Sequence, residues 1–217
     1  MSFDTTRYLA KATARAKSDV ANKLVSMFLH ELSRKLTALA GVSVRDVAYT
    51  AAVEKTFGAR CAYCERDLEH DRAAVEHLDG MNRYRVGLHI AGNVIVSCKR
   101  CNSEKRRDDS VKVLRLAVTG WESFLAHDGS RCGAECKTCH YWQTIWPDET
   151  ERRNKLVAKG ERIRSFRSSF PASIALCERA RTEFPPLLER LYRDCQNFAA
   201  TEIGATIQDA LAVLSPR

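Results

Sequence analysis

Two C-x-x-C pairs, Cys61/Cys64 and Cys98/Cys101, bracket a carboxylate and an imidazole that are neighbours in the chain, Glu76 and His77. Two thiolates at this spacing bind one Zn²⁺ from a tight turn, and two such knuckles complete a closed tetrahedral site. A closed site leaves no position for substrate. The metal it predicts is therefore structural, and its binding energy helps fold a segment with little apolar core of its own. The stretch between the pairs is longer than in a compact zinc ribbon. It raises the question of what Glu76 and His77 do there: a neutral imidazole near pH 7 can accept a proton, and a carboxylate can hold a hard cation.

The order "CAYC", "EH", Asn93, "CKRCNSEK" resembles the HNH nucleases of the ββα-metal type, in their zinc-stapled form. The resemblance covers about Phe57 to Asp109, roughly a quarter of the chain. It implies a role for each matching residue. His77 matches the general base, Glu76 the first ligand of a catalytic Mg²⁺ or Mn²⁺, and Asn102 the second. Asn93 matches the Asn that pins the loop and orients the base. Lys105, one turn beyond Asn102, is placed to meet a phosphate. Arg83, Arg85, His89 and Arg106 are expected substrate contacts. Two positions depart from the family pattern: Glu76 stands where Asp is more frequent, and Asn102 where the last His of the motif name stands. The resemblance implies one-metal hydrolysis of DNA to 5′-phosphate and 3′-hydroxyl ends. Asp79 is the one other nearby carboxylate that could recruit a second metal. It further implies restriction or defence against foreign DNA, with a homodimer and a partner protein of a defence system as expected associations. Two readings stand beside it: a non-catalytic zinc-stapled DNA-binding protein, and a nuclease acting on RNA.

A second cluster holds His127, Cys132, Cys136, Cys139 and His140 within 127–142. The run C-K-T-C-H has the form of a c-type haem attachment site. With no export signal and no evident axial partner, a second structural zinc is the better reading. Its ligands would be the three cysteines plus His127 or His140. Adjacent Cys139 and His140 do not ligate together easily, which favours His127 or a ligand from elsewhere. Trp142 and Trp146 are expected to pack beneath this knuckle.

The elements that must position these residues are mostly helical. Thr6 to Leu39 reads as one helix, with Leu24, Phe28 and Leu32 at helical spacing and Gly41 as its stop. Ser43 is a candidate cap for a second helix through Thr56. "AAVEHLD" and the β-branched "NVIVSC" read as strands, and "KRCNSEKRRDD" as a polar helix. From Ser110, "SVKVLRLAVTGWESFLAH" is amphipathic. "PDETERRNKLVAKGERIRSF" opens with helix-start signals. "PASIALCERARTEF", "PPLLERLYRDCQNFAA" and "TEIGATIQDALAVL" continue in helix. The expected fold is mainly α: an N-terminal helical segment (1–56), a ββα-metal module (57–110) and a helical C-terminal region (111–217) carrying the second knuckle.

The net charge of +8 and pI of about 9.1 fit a nucleic-acid partner. No window is apolar enough to span a membrane, so no membrane association is expected. The basic N-terminal stretch lacks the apolar core of a secretory signal, which predicts a cytoplasmic, reducing location. Seven of nine cysteines lie in the two clusters, as metal ligands would; Cys177 and Cys195 are expected to be buried thiols.

Overall fold

The computed structural model describes the backbone of 5–69, 73–109, 120–130 and 132–214, with all side chains of these except those of 5–17 and 107–109. In chain order the elements are α1 (Thr5–Ala40), α2 (Val47–Phe57), β1 (Ala73–His77), β2 (Val94–Cys98), α3 (Lys99–Asp109), α4 (Gly120–Leu125), α5 (Lys137–Ile145), α6 (Glu149–Ser168), α7 (Pro171–Glu183) and α8 (Pro185–Leu214). The protein is mainly helical around one two-stranded antiparallel sheet. No helix among the described residues is long and apolar enough to cross a membrane.

In α1 the buried stripe is Ala21, Val25 and Leu29, at spacing i, i+4, i+8. Phe28 and Leu32 flank that stripe, whereas Leu24 lies on the outer face at 36% exposure. Gly41 ends the helix with φ +72, a left-handed value that glycine adopts without penalty. Ser43 does not cap α2. It accepts from the Arg45 amide in a turn, and the helix starts four residues later, behind Asp46. Tyr49 fastens α2 to the sheet: its buried hydroxyl donates to the Val94 carbonyl and accepts from the Gly92 amide at 3.1 Å. The C-terminal run is one helix, α8, where the sequence reads as two. Of the amphipathic stretch beginning at Ser110, Gly120–Leu125 is helix. Residues 110–119, and with them the expected module boundary, lie outside the described residues.

Two apolar cores form, and each draws on all three stretches of the chain. One gathers Tyr49 and Phe57 from α2, Tyr63 and Ile95 from the hairpin region, and Phe124, Trp142, Trp146 and Ile163 from α4, α5 and α6. The other packs α1 against Val86, Leu88 and Ile90 of the interstrand loop and against Cys177, Leu188 and Tyr192 of α7 and α8. The loop between the strands is thus clamped from both sides. Cys177 is buried, which pushes its thiol up to about 12; Cys195 is only half-buried.

Gly87 lies in that loop. A Cβ there would stand 1.7 Å from the Asp79 carbonyl oxygen and 2.5 Å from its carbon. Both are backbone atoms, so no rotamer relieves the clash. Gly87→Ala is expected to destabilise the protein by about 3 kcal/mol or more. The check is a urea unfolding midpoint that falls with no change in slope.

Candidate metal and active site

β1 and β2 pair antiparallel with His77 opposite Val94, Glu76 opposite Ile95 and Ala73 opposite Cys98. β2 runs into α3 without a break, so Cys98 ends the strand and Cys101 lies in the first helical turn. The other knuckle closes through Cys61 N–H to Arg66 O (2.8 Å) and Glu65 N–H to Cys61 O (3.0 Å). Glu65 has φ +63, and its carboxylate is held by Lys155 and Lys159 of α6. The four sulfurs all lie within 4.8 Å of one another. A tetrahedron with Zn–S bonds of about 2.3 Å sets sulfurs about 3.8 Å apart. Cys64 Sγ and Cys98 Sγ are 3.8 Å apart. The cluster is compatible with zinc in both donor type and spacing.

The second cluster resolves its open ligand. His127, Cys132, Cys136 and Cys139 bring their ligand atoms within 4.8 Å of one another. His127 Nδ1 is 3.3 Å from Cys132 Sγ and 3.2 Å from Cys136 Sγ. His140 is exposed and faces elsewhere, with its ring nitrogens near the Ala134 carbonyl and the Gln143 side chain. This cluster too is compatible with zinc. Trp142 and Trp146 stack in the core at 5.5 Å, as expected of packing residues.

A cleft of about 540 Å³ opens beside β1 and α3. Glu76, His77, Asn102, Lys105 and Arg106 all border it. Asn102, Lys105 and Arg106 share one helical face by their i, i+3, i+4 spacing. Asn102 donates from Nδ2 to the Val75 carbonyl at 3.1 Å, locking α3 against β1. Glu76 is buried, and its Oε1 receives Lys105 Nζ at 2.9 Å and the Tyr63 hydroxyl at 3.2 Å. Lys105 also donates to the His77 carbonyl at 2.9 Å. Lys105 is therefore an internal counter-ion to Glu76 at the wall of the cleft.

His77 is half-buried among imidazoles. Its Nε2 is 2.9 Å from His89 Nδ1, and the His30 ring of α1 lies 5.9 Å from its own. Burial, with the charges of His89, His30 and Lys105, lowers the His77 pKa to about 3, so the ring is neutral near pH 7. Burial first, then His30 and Arg45, lowers His89 as well.

Asn93 is fully buried and ties the loop. Its Oδ1 accepts from the Asp79 amide (2.8 Å), and its Nδ2 donates to the carbonyls of Leu88 (2.7 Å) and Asp79 (3.2 Å). Arg167 of α6 completes the network, donating to Asn93 Oδ1 and Asp79 Oδ2, each at 3.2 Å. Asp79 is thus paired to an arginine in the interior and does not supply a second metal carboxylate. Two expected substrate contacts also lie elsewhere. Arg83 pairs with Glu189 of α8 and covers the Tyr192 ring at 3.7 Å, and Arg85 is 2% exposed. Arg106 is exposed at the cleft, and His89 sits against His77. Sequence reasoning missed Arg167, Tyr63 and His30. Only the fold brings them to the site, from α6, the first knuckle and α1.

As to a catalytic dication, the Glu76 carboxylate and the Asn102 amide are oxygen ligands of the kind Mg²⁺ takes. They are few, and Lys105 already compensates Glu76. The cleft is not among the groups of three or more His, Cys, Asp or Glu that converge for an ion among the described residues.

Two outcomes are expected. Cys98→Ala should lose one bound zinc per chain and unfold the hairpin region, whereas His77→Ala should leave the melting temperature nearly unchanged; metal analysis and calorimetry check both. The lowered His77 pKa sets a pH dependence. An unfolded His77 takes its proton near 6.5 and the folded one only near 3, so this contribution is complete above pH 6.5 and is lost as pH falls towards 3. The slope is at most about 1.4 kcal/mol per pH unit. Urea unfolding at pH 7 and pH 5 should show a smaller loss for His77→Gln than for the wild type.

The chain matches no family model, no curated protein and no solved structure. Its functional reading therefore stands on the residues and the geometry.

Proposed function

We propose that the protein is a metal-dependent endonuclease that hydrolyses DNA phosphodiester bonds. The observation that supports this reading best is the grouping of Glu76, His77, Asn102 and Arg106 around one open cleft, on a strand and a helix stapled by four cysteines. Hydrolysis requires a water to lose its proton while a 3′ oxygen leaves. His77 accepts that proton as a neutral imidazole. Its Nε2 faces His89 at rest, so His89 must yield that nitrogen or take the proton onward. Asn93 holds the loop that carries His89 and keeps it against β1. Arg106 meets the incoming phosphate from the exposed end of the cleft. Glu76 and Asn102 are the residues that would hold a dication, which would supply positive charge at the reacting phosphate. The net charge of +8 supports a polyanionic substrate. Defence against foreign DNA is the setting this activity suits.

The second reading is a zinc-stapled DNA-binding protein without activity. The Glu76–Lys105 pair favours it, since the carboxylate is already compensated. Supercoiled plasmid with Mg²⁺ or Mn²⁺ separates the two, with RNA incubated in parallel. The wild type should nick plasmid, and His77→Ala should reduce nicking by at least about 100-fold while DNA binding persists. Binding without nicking in any divalent metal would establish the inactive reading, and cleavage confined to RNA would reassign the substrate.

A further inference from the structure

α5 stands between the two cysteine clusters and touches both. At its N-terminal end, Cys136 is the cap residue and Cys139 lies in the first turn, and both belong to the second cluster. Two residues on, about 200° around the helix, Tyr141 points the other way. Its hydroxyl is 2.9 Å from Cys101 Sγ, a member of the four-cysteine cluster. Tyr141 is 4% exposed, so no water competes freely for that bond. A metal-bound thiolate has no proton to give, which makes the phenol the donor. The contact is reinforced from α3, where the Arg100 guanidinium covers the Tyr141 ring at 5.2 Å and donates to Thr144 Oγ1 at 3.3 Å.

We propose that the two clusters are energetically coupled metal sites, and that the Tyr141–Cys101 hydrogen bond carries the coupling. Metal at the second cluster fixes the first turn of α5 through Cys136 and Cys139. That turn sets the height and rotation of the helix, and hence whether the Tyr141 hydroxyl reaches the sulfur. A hydrogen bond to a ligating thiolate spreads its charge and holds it in position, and removing such a partner typically weakens metal affinity by about 10- to 100-fold. Coupling of this kind is reciprocal, so each site raises the affinity of the other by the same factor. Tyr141 is a positioning residue: it ligates nothing itself. The proposal requires metal in both clusters and is independent of the nuclease reading.

The test uses the full chain and zinc itself, with competing chelator and a zinc-responsive dye. The wild type should bind two zinc ions and release them together. Cys132→Ser, which lies outside α5, should lose the second ion and weaken the four-cysteine site by about 10-fold or more. Tyr141→Phe should weaken that site similarly, and Cys132→Ser added to it should weaken it no further. With Co²⁺ in the four-cysteine site, Tyr141→Phe should shift the sulfur-to-metal charge-transfer band, a change that loosened packing alone does not produce. If Cys132→Ser does not fold, stepwise zinc addition to metal-free protein gives the same answer: cooperative filling in the wild type, independent filling in Tyr141→Phe. The proposal is overturned by a wild type that binds fewer than two ions, by sites that fill independently, or by an unmoved cobalt spectrum.

Discussion

Convergence of four sulfurs at the junction of β2 and α3 is the constraint on which the rest of the site depends. A five-residue pair of strands has little stability alone, and a polar eleven-residue helix has less. Joining Cys98 and Cys101 to the knuckle at Cys61 and Cys64 fixes the angle between strand and helix. That angle decides whether Asn102 reaches the Val75 carbonyl and whether Lys105 reaches Glu76. The apolar core around Tyr63, Ile95 and Phe124 then seals the staple from below.

A buried polar network stands opposite the staple. Asn93, Asp79 and Arg167 are each almost wholly enclosed, and every bond among them joins segments distant in sequence. Burying a charge is costly unless it is paired and hydrogen-bonded, and here Asp79 meets both an arginine and the Gly120 amide. Its role is to hold sixteen residues of interstrand loop in one shape, so that His89 lies against His77.

The residues that touch within a few positions were legible in the sequence. The cysteine spacing, the β-branched run at Val94–Cys98 and the polar helix after it each carry a local signal, and their strand and helix bounds follow it closely. The Asn93 tie is legible only through the family resemblance, since an Asn after a glycine by itself marks a turn. What the sequence did not disclose is pairing at a distance. Lys105 reads as a phosphate contact because an exposed helical lysine looks the same as one folded inward onto Glu76. Arg83 and Arg85 read as substrate contacts because nothing nearby reveals that α8 and the core will enclose them. For the second cluster, the adjacency of Cys139 and His140 counts against His140, but only the fold shows that His127 is the residue that converges with the cysteines.

α6 draws these parts into one unit. Lys159 grips Glu65 at the first knuckle, and Arg167, eight residues later, grips Asp79 and Asn93. At 1.5 Å per residue these anchors lie about 12 Å apart along a single rigid rod. The stapled hairpin thus leans at both ends on a helix that begins some forty residues after α3 ends. A fragment cut to the motif alone would leave Asp79 without its guanidinium and Glu65 without its ammonium groups. The motif is not an excisable cassette: the shortest stretch that keeps both anchors extends through Arg167 of α6.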